Sequence, residues 1–207
     1  KGEESRKLYD NLRDRINYAQ KVVGWWKGEE HKASILSMLE TEIETATQKL
    51  TDYTLTTAQL NNAIKLLDIK IAASDKKIYC SPNGCGTDLQ LQLTSSQWCY
   101  KRSMQSKHWI LFWEAGYGES APSSVESILK TADQVFEFYA NNLKFITINQ
   151  GKSKTDTYKM IIRLRYTDEW EASGSGIDNI SGWLTLSRWA YTSRGGQSVA
   201  HEIAHCF

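Results

Sequence analysis

Two histidines and one glutamate near the end of the sequence have the types and the spacing needed for metal-assisted hydrolysis. They belong to the segment His201-Glu202-Ile203-Ala204-His205. On a helix, residues four apart lie one turn apart on the same face, so both imidazoles can bind one Zn²⁺. Glu202 is rotated off that face and can reach a water molecule on the metal without binding the metal itself. The spacing therefore predicts His201 and His205 as zinc ligands and Glu202 as the general base.

The reaction that such a site supports is hydrolysis of a peptide bond or a similar amide. Zinc lowers the pKa of a water molecule and polarises the carbonyl group, while the glutamate accepts the proton. Apart from the three site residues, the stretch 198–207 is uncharged, as expected for a metal helix inside a domain. The competing interpretation is a helix whose two histidines are solvated or satisfied in a core. The other two histidines, His31 and His108, are interpreted as structural residues.

The first part of the chain reads as helix throughout. Apolar residues recur at steps of three and four, which is one face of a helix, in three stretches: Leu8–Trp26, Ile35–Leu50 and Leu60–Ile71. Thr56 and Gln59 have the spacing of a capping box at the start of the third stretch. We predict a three-helix bundle over residues 1–77 and interpret it as a spacer or docking module.

The second part, residues 78–207, mixes strand and helix patterns. Together they predict an α+β fold with helices on a mixed sheet. In chain order the predicted elements are a strand at Leu89–Leu93, a central strand at His108–Trp113, a long helix at Val125–Leu143 after a capping box at Ser123–Glu126, a strand at Tyr158–Arg165, a polar loop at Glu171–Gly176, a strand at Gly182–Ser187 and the metal helix.

The segment Val199–His205 resembles the active-site helix of the zincin metallopeptidases, and among them the gluzincin branch. The zincin N-terminal subdomain has a twisted sheet, a backing helix and an edge strand before the metal helix, and the resemblance implies the same order here. It implies that Gly182–Ser187 is the edge strand, which in zincins binds extended substrate by main-chain pairing. The substrate-binding residues implied are Trp183, Leu184, Thr185 and Leu186.

A narrower resemblance rests on Phe112–Gly116, Arg163–Tyr166 and the Gly195-Gly196 pair before the His-Glu ending. These features are similar to a poorly characterised family of secreted bacterial proteins that are predicted metallopeptidases. The resemblance implies a secreted or cell-surface protein. A chain that opens on Lys1 fits a cleaved secretory signal and equally a trimmed terminus.

A zincin also needs a third protein ligand, which in that superfamily lies downstream of the second histidine. The sequence ends at Phe207, two residues after His205. We therefore expect the zincin-like subdomain to be incomplete in this chain, with the third ligand beyond Phe207. We expect the chain as given to bind zinc weakly and to have little activity.

The composition of the chain argues against some classes of binding partner. The formal net charge is +1, and no basic stripe interleaved with aromatic residues indicates nucleic acid. No apolar run approaches the roughly 20 residues that span a bilayer, so we expect no transmembrane segment. The expected partner is a protein or peptide substrate, with glycoproteins among the candidates. No feature of the sequence specifies an oligomeric state.

The cysteines and tryptophans of the chain each allow more than one role. Cys80, Cys85 and Cys99 could form a disulfide in an exported protein, remain free thiols or, least favoured, hold a metal. The eight tryptophans serve either packing or a sugar-stacking surface. The second function hypothesis is accordingly a secreted or surface module that binds glycans or proteins on an inactive zincin scaffold. A third is a metal-dependent hydrolase of non-peptide bonds.

Overall fold

The computed structural model describes residues 2–79, 98–145 and 154–207, and the chain divides into two compact units, Lys1–Asp75 and Lys76–Phe207. The first unit consists of helices α1 (Glu3–Trp26), α2 (Ala33–Leu50) and α3 (Thr57–Ser74). Each helix contacts the other two. The apolar stripes predicted from the sequence form their shared core, whose fully buried members are Leu12, Ala19, Val22, Leu39, Ala46, Leu60, Ala63 and Leu67.

The predicted capping box at the start of α3 is confirmed. The Thr56 hydroxyl accepts a hydrogen bond from the backbone N–H of Gln59 at 3.3 Å. The Gln59 side chain in turn accepts one from the backbone N–H of Thr56 at 2.8 Å. Two N–H groups that a helix start leaves unsatisfied are thereby paired, which fixes where α3 begins.

The second unit has the predicted α+β class, with a mixed sheet. Its described strands are β1 (Lys77–Ile78), β2 (Ser103–Gln105), β3 (Trp109–Trp113), β4 (Tyr158–Arg165), β5 (Ala172–Ile177) and β6 (Ser181–Ser187). The order across the sheet is β2-β3-β4-β6-β5, and β1 pairs with the start of β4. The inner strands β3, β4 and β6 are parallel, whereas the outer strands β2 and β5 are antiparallel to their neighbours.

Three helices complete this unit: α4 (Val125–Glu137), α5 (Arg188–Arg194) and α6 (Gly196–Ala204). Helix α6 contacts α4, α5, β5 and β6. One core lies between the sheet and the helices α4 and α6, and its strand members are Trp109, Leu111, Trp113, Met160, Ile162, Leu164, Leu184 and Leu186. All five residues of β3 are buried, as expected for a continuous apolar run in a central strand.

The edge of the sheet differs from the prediction. The stretch predicted as a polar loop, Glu171–Gly176, forms most of β5, and β5 is the outer strand. The expectation that Gly182–Ser187 is the edge strand is therefore wrong. Strand β6 pairs with β4 through Trp183–Ser187 and with β5 through Ser181–Leu186, so its backbone groups have partners on both sides.

The start and end of α4 also differ from the prediction. Ser124 occupies the N-cap position and its side chain makes no capping hydrogen bond, so the capping box predicted at Ser123–Glu126 is wrong. The α-helix ends at Glu137 and continues as one π-helical turn, Phe138–Asn142. The predicted strand Leu89–Leu93 and the cysteines Cys80 and Cys85 lie outside the described residues.

Two further expectations concern thiols and membranes. Cys99 is a free thiol in the structure, so it does not take part in the disulfide considered for the three clustered cysteines. Within the described ranges, no helix is long and apolar enough to cross a membrane.

Candidate metal centre

Helix α6 begins at a junction that favours glycine. Gly195 ends α5 and caps the start of α6 with φ of +54° and ψ of −135°, a conformation that residues with a side chain rarely adopt. A hydrogen bond of 2.9 Å from the Ser198 hydroxyl to the carbonyl of Ala190 ties the two helices together. The sequence thus sets the direction of α6 through one backbone conformation and one side-chain contact.

The rotation of α6 about its own axis is fixed by packing. Val199 and Ile203 are fully buried in the core between the helices and the sheet. The Tyr139 hydroxyl donates a hydrogen bond of 3.1 Å to the carbonyl of Ala200. Beyond the helix, the ring of Phe207 lies 5.9 Å from that of Tyr139, measured between ring centroids. The opposite side of α6, which carries the histidines, faces solvent.

The two histidines are exposed and close together. The Nε2 atoms of His201 and His205 are 3.3 Å apart, and the ring planes are inclined at 76°. Two nitrogens bound to one tetrahedral zinc at 2.0–2.1 Å are separated by about 3.3 Å. The structure shows neither ring engaged with any other polar group of the described residues. The separation of the two nitrogens therefore matches that of two ligands on one zinc ion, and it also matches a hydrogen bond between the rings.

Glu202 is placed differently from the two histidines. On a helix it lies about 100° around the axis from His201, and only 6% of its surface is exposed. No described residue donates a hydrogen bond to its carboxylate. Glu202 is thus a mostly buried residue that directly follows the first histidine, a position from which a carboxylate can serve as a proton acceptor.

The strand next to Glu202 is β5. The backbone of Glu202 occupies the space that a Cβ atom on Gly174 would need, so helix and strand approach each other closely here. Sequence reasoning missed this strand and this glycine. Every second position of Ala172–Ile177 is glycine or alanine, which leaves room for a close helix but is not by itself a strand signal.

Cys206 follows the second histidine and is packed under the sheet. Its Sγ donates a hydrogen bond of 3.2 Å to the carbonyl of Trp183. Burial raises the pKa of the thiol to about 12. Its Cβ and Sγ fill the space beside Gly182, which leaves no room for a side chain at that position. Cys206 is therefore an anchor for the end of α6 and an unreactive thiol.

The structure brings together His201, Glu202 and His205 but not the other predicted site residues. Trp183 is half-buried on the inner strand β6, and Leu184, Thr185 and Leu186 are at most 1% exposed. These four residues were predicted to face substrate at an edge strand, and that placement is wrong because β5 covers β6. Among the described residues, no group of three or more His, Cys, Asp or Glu side chains could hold a metal ion. The candidate metal site is thus limited to the histidine pair in the part of the chain that the structure describes.

Fold and site together define an α+β unit in which one short helix on a mixed sheet presents a His-Glu-x-x-His segment. The profile of a protein family matches residues 70–207, which include this whole unit and the last turn of α3. The chain belongs to that family, DUF6055, whose description is a family of unknown function. No curated protein and no solved structure matches the chain.

Proposed function

We propose that the second unit carries the metal-binding helix of a zincin-type zinc metallopeptidase. His201 and His205 bind zinc, and Glu202 is the general base. The observation that carries the proposal is the 3.3 Å separation of the Nε2 atoms of two exposed histidines on the helix that also carries the mostly buried Glu202. The same separation suits a hydrogen bond between the two rings, so the proposal rests on the distance together with the His-Glu-x-x-His order.

Each residue has a distinct chemical role in this proposal. The imidazoles of His201 and His205 hold the metal, which when bound supplies Lewis-acid activation of a water molecule and of the substrate carbonyl. Glu202 accepts the proton of the attacking water and passes it to the leaving amine. The close packing of the Glu202 backbone against Gly174 of β5 fixes the position of the chain that carries this side chain.

The substrate would pair with β5. Strand β5 ends the sheet, so among the described strands nothing occupies its outer side, and its outward N–H and C=O groups are available to an extended peptide. Its small side chains, Ser173, Gly174 and Ser175 among them, leave room for the side chains of a bound peptide. The close contact between Gly174 and Glu202 would bring the paired peptide near the general base.

The zincin relationship, a secreted or cell-surface location and a protein or peptide substrate belong to the same proposal. A zincin site has three protein ligands, and two are present among the described residues. Zinc binding by this chain is therefore expected to be weak compared with that of a complete site. Hydrolysis of non-peptide amides or esters would use the same chemistry. Assays with peptide and non-peptide substrates distinguish the two activities.

Zinc binding is tested by titration of the chain with Zn²⁺ in competition with a chromophoric chelator. We expect one zinc per chain, with affinity about tenfold or more weaker in His201→Ala and in His205→Ala. The matched control is His31→Ala, because His31 is an exposed histidine of the first unit. Equal affinities in all four proteins would overturn the assignment of the ligands and favour a binding module on an inactive scaffold.

Catalysis is tested on the natural protein with casein and a library of quenched peptides. Glu202→Gln should keep its zinc and lower peptide turnover by about 10²-fold or more, as expected for loss of a general base. A variant that keeps both its zinc and full turnover would show that Glu202 is not the base. Turnover of ester substrates but no peptide would support the non-peptide hydrolase instead.

A further inference from the structure

Three exposed aromatic side chains belong to the segments around the start of β5 and the start of α5, and none of them has a part in the proposed zinc site. We call Tyr166, Trp170 and Trp189 the aromatic patch. Their exposed fractions are 53%, 50% and 53%, whereas the other six tryptophans of the chain are buried or half-buried. A large exposed ring loses the free energy of burial, so three such rings in one region indicate a surface that is covered by a ligand.

The pairing of β5 with β6 brings the members of the patch together. The backbone N–H of Ser187 donates to the carbonyl of Glu171 at 2.8 Å, and the N–H of Glu171 donates to the Ser187 hydroxyl at 3.1 Å. Trp170 directly precedes one member of this bonded pair, and Trp189 follows the other by two residues. The two tryptophans therefore belong to chain segments that are hydrogen-bonded to each other.

Tyr166 joins the patch through Arg188. The guanidinium carbon of Arg188 lies 5.9 Å from the centre of the Tyr166 ring, and Arg188 also forms an ion pair with Asp168. Tyr166 itself is held in place, because its backbone N–H donates to the Glu114 carboxylate at 2.6 Å and its ring packs edge-on against Tyr117 at 4.9 Å. Contacts with Glu114 and Tyr117 thus fix the position of Tyr166, and Trp189 lies in the first turn of α5.

The chemistry of the patch distinguishes among possible ligands. The patch is aromatic, and an exposed ion pair accompanies it: Asp168 is 87% exposed and Arg188 is 53% exposed at the side chain, and Arg188 lies beside the Tyr166 ring. An aliphatic peptide or a lipid surface would bury these charges without compensation. A sugar ring has one face of C–H groups, which suits the negative face of an aromatic ring, and a rim of hydroxyls that can bond the charged groups.

We propose that the aromatic patch is a binding site for a carbohydrate chain. Trp170 and Trp189 stack on sugar rings, and Asp168 and Arg188 form hydrogen bonds with sugar hydroxyls. The patch lies at the N-terminal end of β5, the strand proposed to pair with substrate, so a glycan attached to a protein substrate could occupy it. The sugar site does not depend on the zinc site and remains if the metallopeptidase proposal fails.

The test is binding of the fluorescently labelled chain to a printed array of several hundred microbial and animal glycans, beside an array of unglycosylated peptides. We expect binding to a related set of glycans, with affinity for a soluble member of that set at least tenfold lower in Trp170→Ala and in Trp189→Ala. Trp170→Phe and Trp189→Phe should recover most of the affinity, because the stacking face is retained. Phe138→Ala, at an equally exposed aromatic of the same unit, is the matched control.

The outcomes separate clearly. Glycan binding that is lost in the two alanine variants and kept in Phe138→Ala supports the proposal, provided that thermal unfolding is unchanged. Absence of binding to every printed glycan overturns it, as does glycan binding that survives both alanine substitutions. Binding to unglycosylated peptides that disappears in the same variants overturns it in favour of a peptide site. His201→Ala should bind glycans as the unsubstituted chain does, which keeps this result distinct from that of the zinc titration.

Discussion

The carbonyl group of Glu202 fills the space where a Cβ atom on Gly174 would stand. This contact joins the outer strand β5 to the helix that carries the histidine pair. The obstructing atom belongs to the backbone and cannot rotate aside as a side chain can. Any residue larger than glycine at position 174 must therefore push helix α6 away from the strand.

Gly174→Ala should destabilise the second unit by about 1–3 kcal/mol, the usual cost of an overpacked contact. It should also weaken zinc binding, because the shift displaces the turn that carries His201. Urea unfolding and the chelator titration measure the two effects. The matched control is Gly176→Ala on the same strand, where the nearest atom to the new Cβ is the carbonyl oxygen of Ser181 at 3.9 Å. Equal stability of the two variants would contradict the close approach.

Gly195→Ala should cost about 1–3 kcal/mol, because the backbone at the junction of α5 and α6 is strained for any residue with a side chain. The readout is the midpoint of thermal unfolding. Gly24→Ala provides the contrast, since Gly24 is inside α1 with no atom within 4 Å of the added Cβ. That substitution should stabilise the first unit by about 0.5–1 kcal/mol through helix propensity. An unchanged unfolding midpoint in Gly195→Ala would mean that the junction of α5 and α6 adopts another conformation.

Tyr139→Phe removes the hydroxyl that bonds the carbonyl of Ala200 on α6. We expect a loss of about 0.5–1.5 kcal/mol in unfolding free energy, the net value of one hydrogen bond. Tyr53→Phe is the control, because Tyr53 is 70% exposed and its effect should stay within about 0.5 kcal/mol. Both are measured by urea unfolding. If the two variants lose the same free energy of unfolding, the hydrogen bond from Tyr139 does not stabilise the position of α6.

Acid should destabilise the second unit through His108. Its Nδ1 lies 2.8 Å from Lys76 Nζ and its Nε2 lies 2.6 Å from Glu137 Oε1, so the neutral ring accepts from one and donates to the other. Burial lowers the pKa of His108 to about 3. An unfolded histidine titrates near 6.5. Between these values the unfolded state holds more protons, so stability falls as pH falls, by up to about 1.4 kcal/mol per pH unit.

The measurement is urea unfolding at pH 7, 6 and 5. The hydrogen bond with His108 lowers the pKa of Glu137 to about 2, so loss of its contribution begins only below about pH 4.5, outside this range. His108→Gln keeps one acceptor and one donor at the site but does not titrate. It should therefore flatten the dependence between pH 6.5 and 5. An unchanged slope in this variant would assign the pH dependence to another group.

The helices and inner strands could be predicted because their sequence patterns match their burial. Strand β4 occupies Tyr158–Arg165, the stretch predicted from its apolar run. Strand β5 escaped prediction because alanine, serine, glycine and a single isoleucine carry no strand signal of their own. Its conformation comes from pairing with β6 and from packing under α6, and neither partner is visible in the local sequence.

The candidate site likewise has features that the local sequence predicts and features that depend on the tertiary structure. Helical spacing alone predicts that His201 and His205 share a face, since the period of a helix is fixed. The burial of Glu202 depends on where β5 lies, which is a tertiary property. The aromatic patch illustrates this further: Trp113 is 3% exposed and Trp170 is 50% exposed, although both are tryptophans close to strand ends. Exposure follows from the neighbours that the fold supplies.

The strand order constrains how the second unit can fold. Strand β5 precedes β6 in the chain but lies outside it, so the pairing of β6 with β4 joins parts of the chain that β5 separates. Such non-local pairing is slow, because distant parts of the chain must meet before any contact repays the loss of entropy. Helix α6 rests on both β5 and β6 and is the last described element to leave the ribosome. Because α6 follows the described strands in the chain and packs on two of them, we expect the histidine pair to take its place after the sheet has formed.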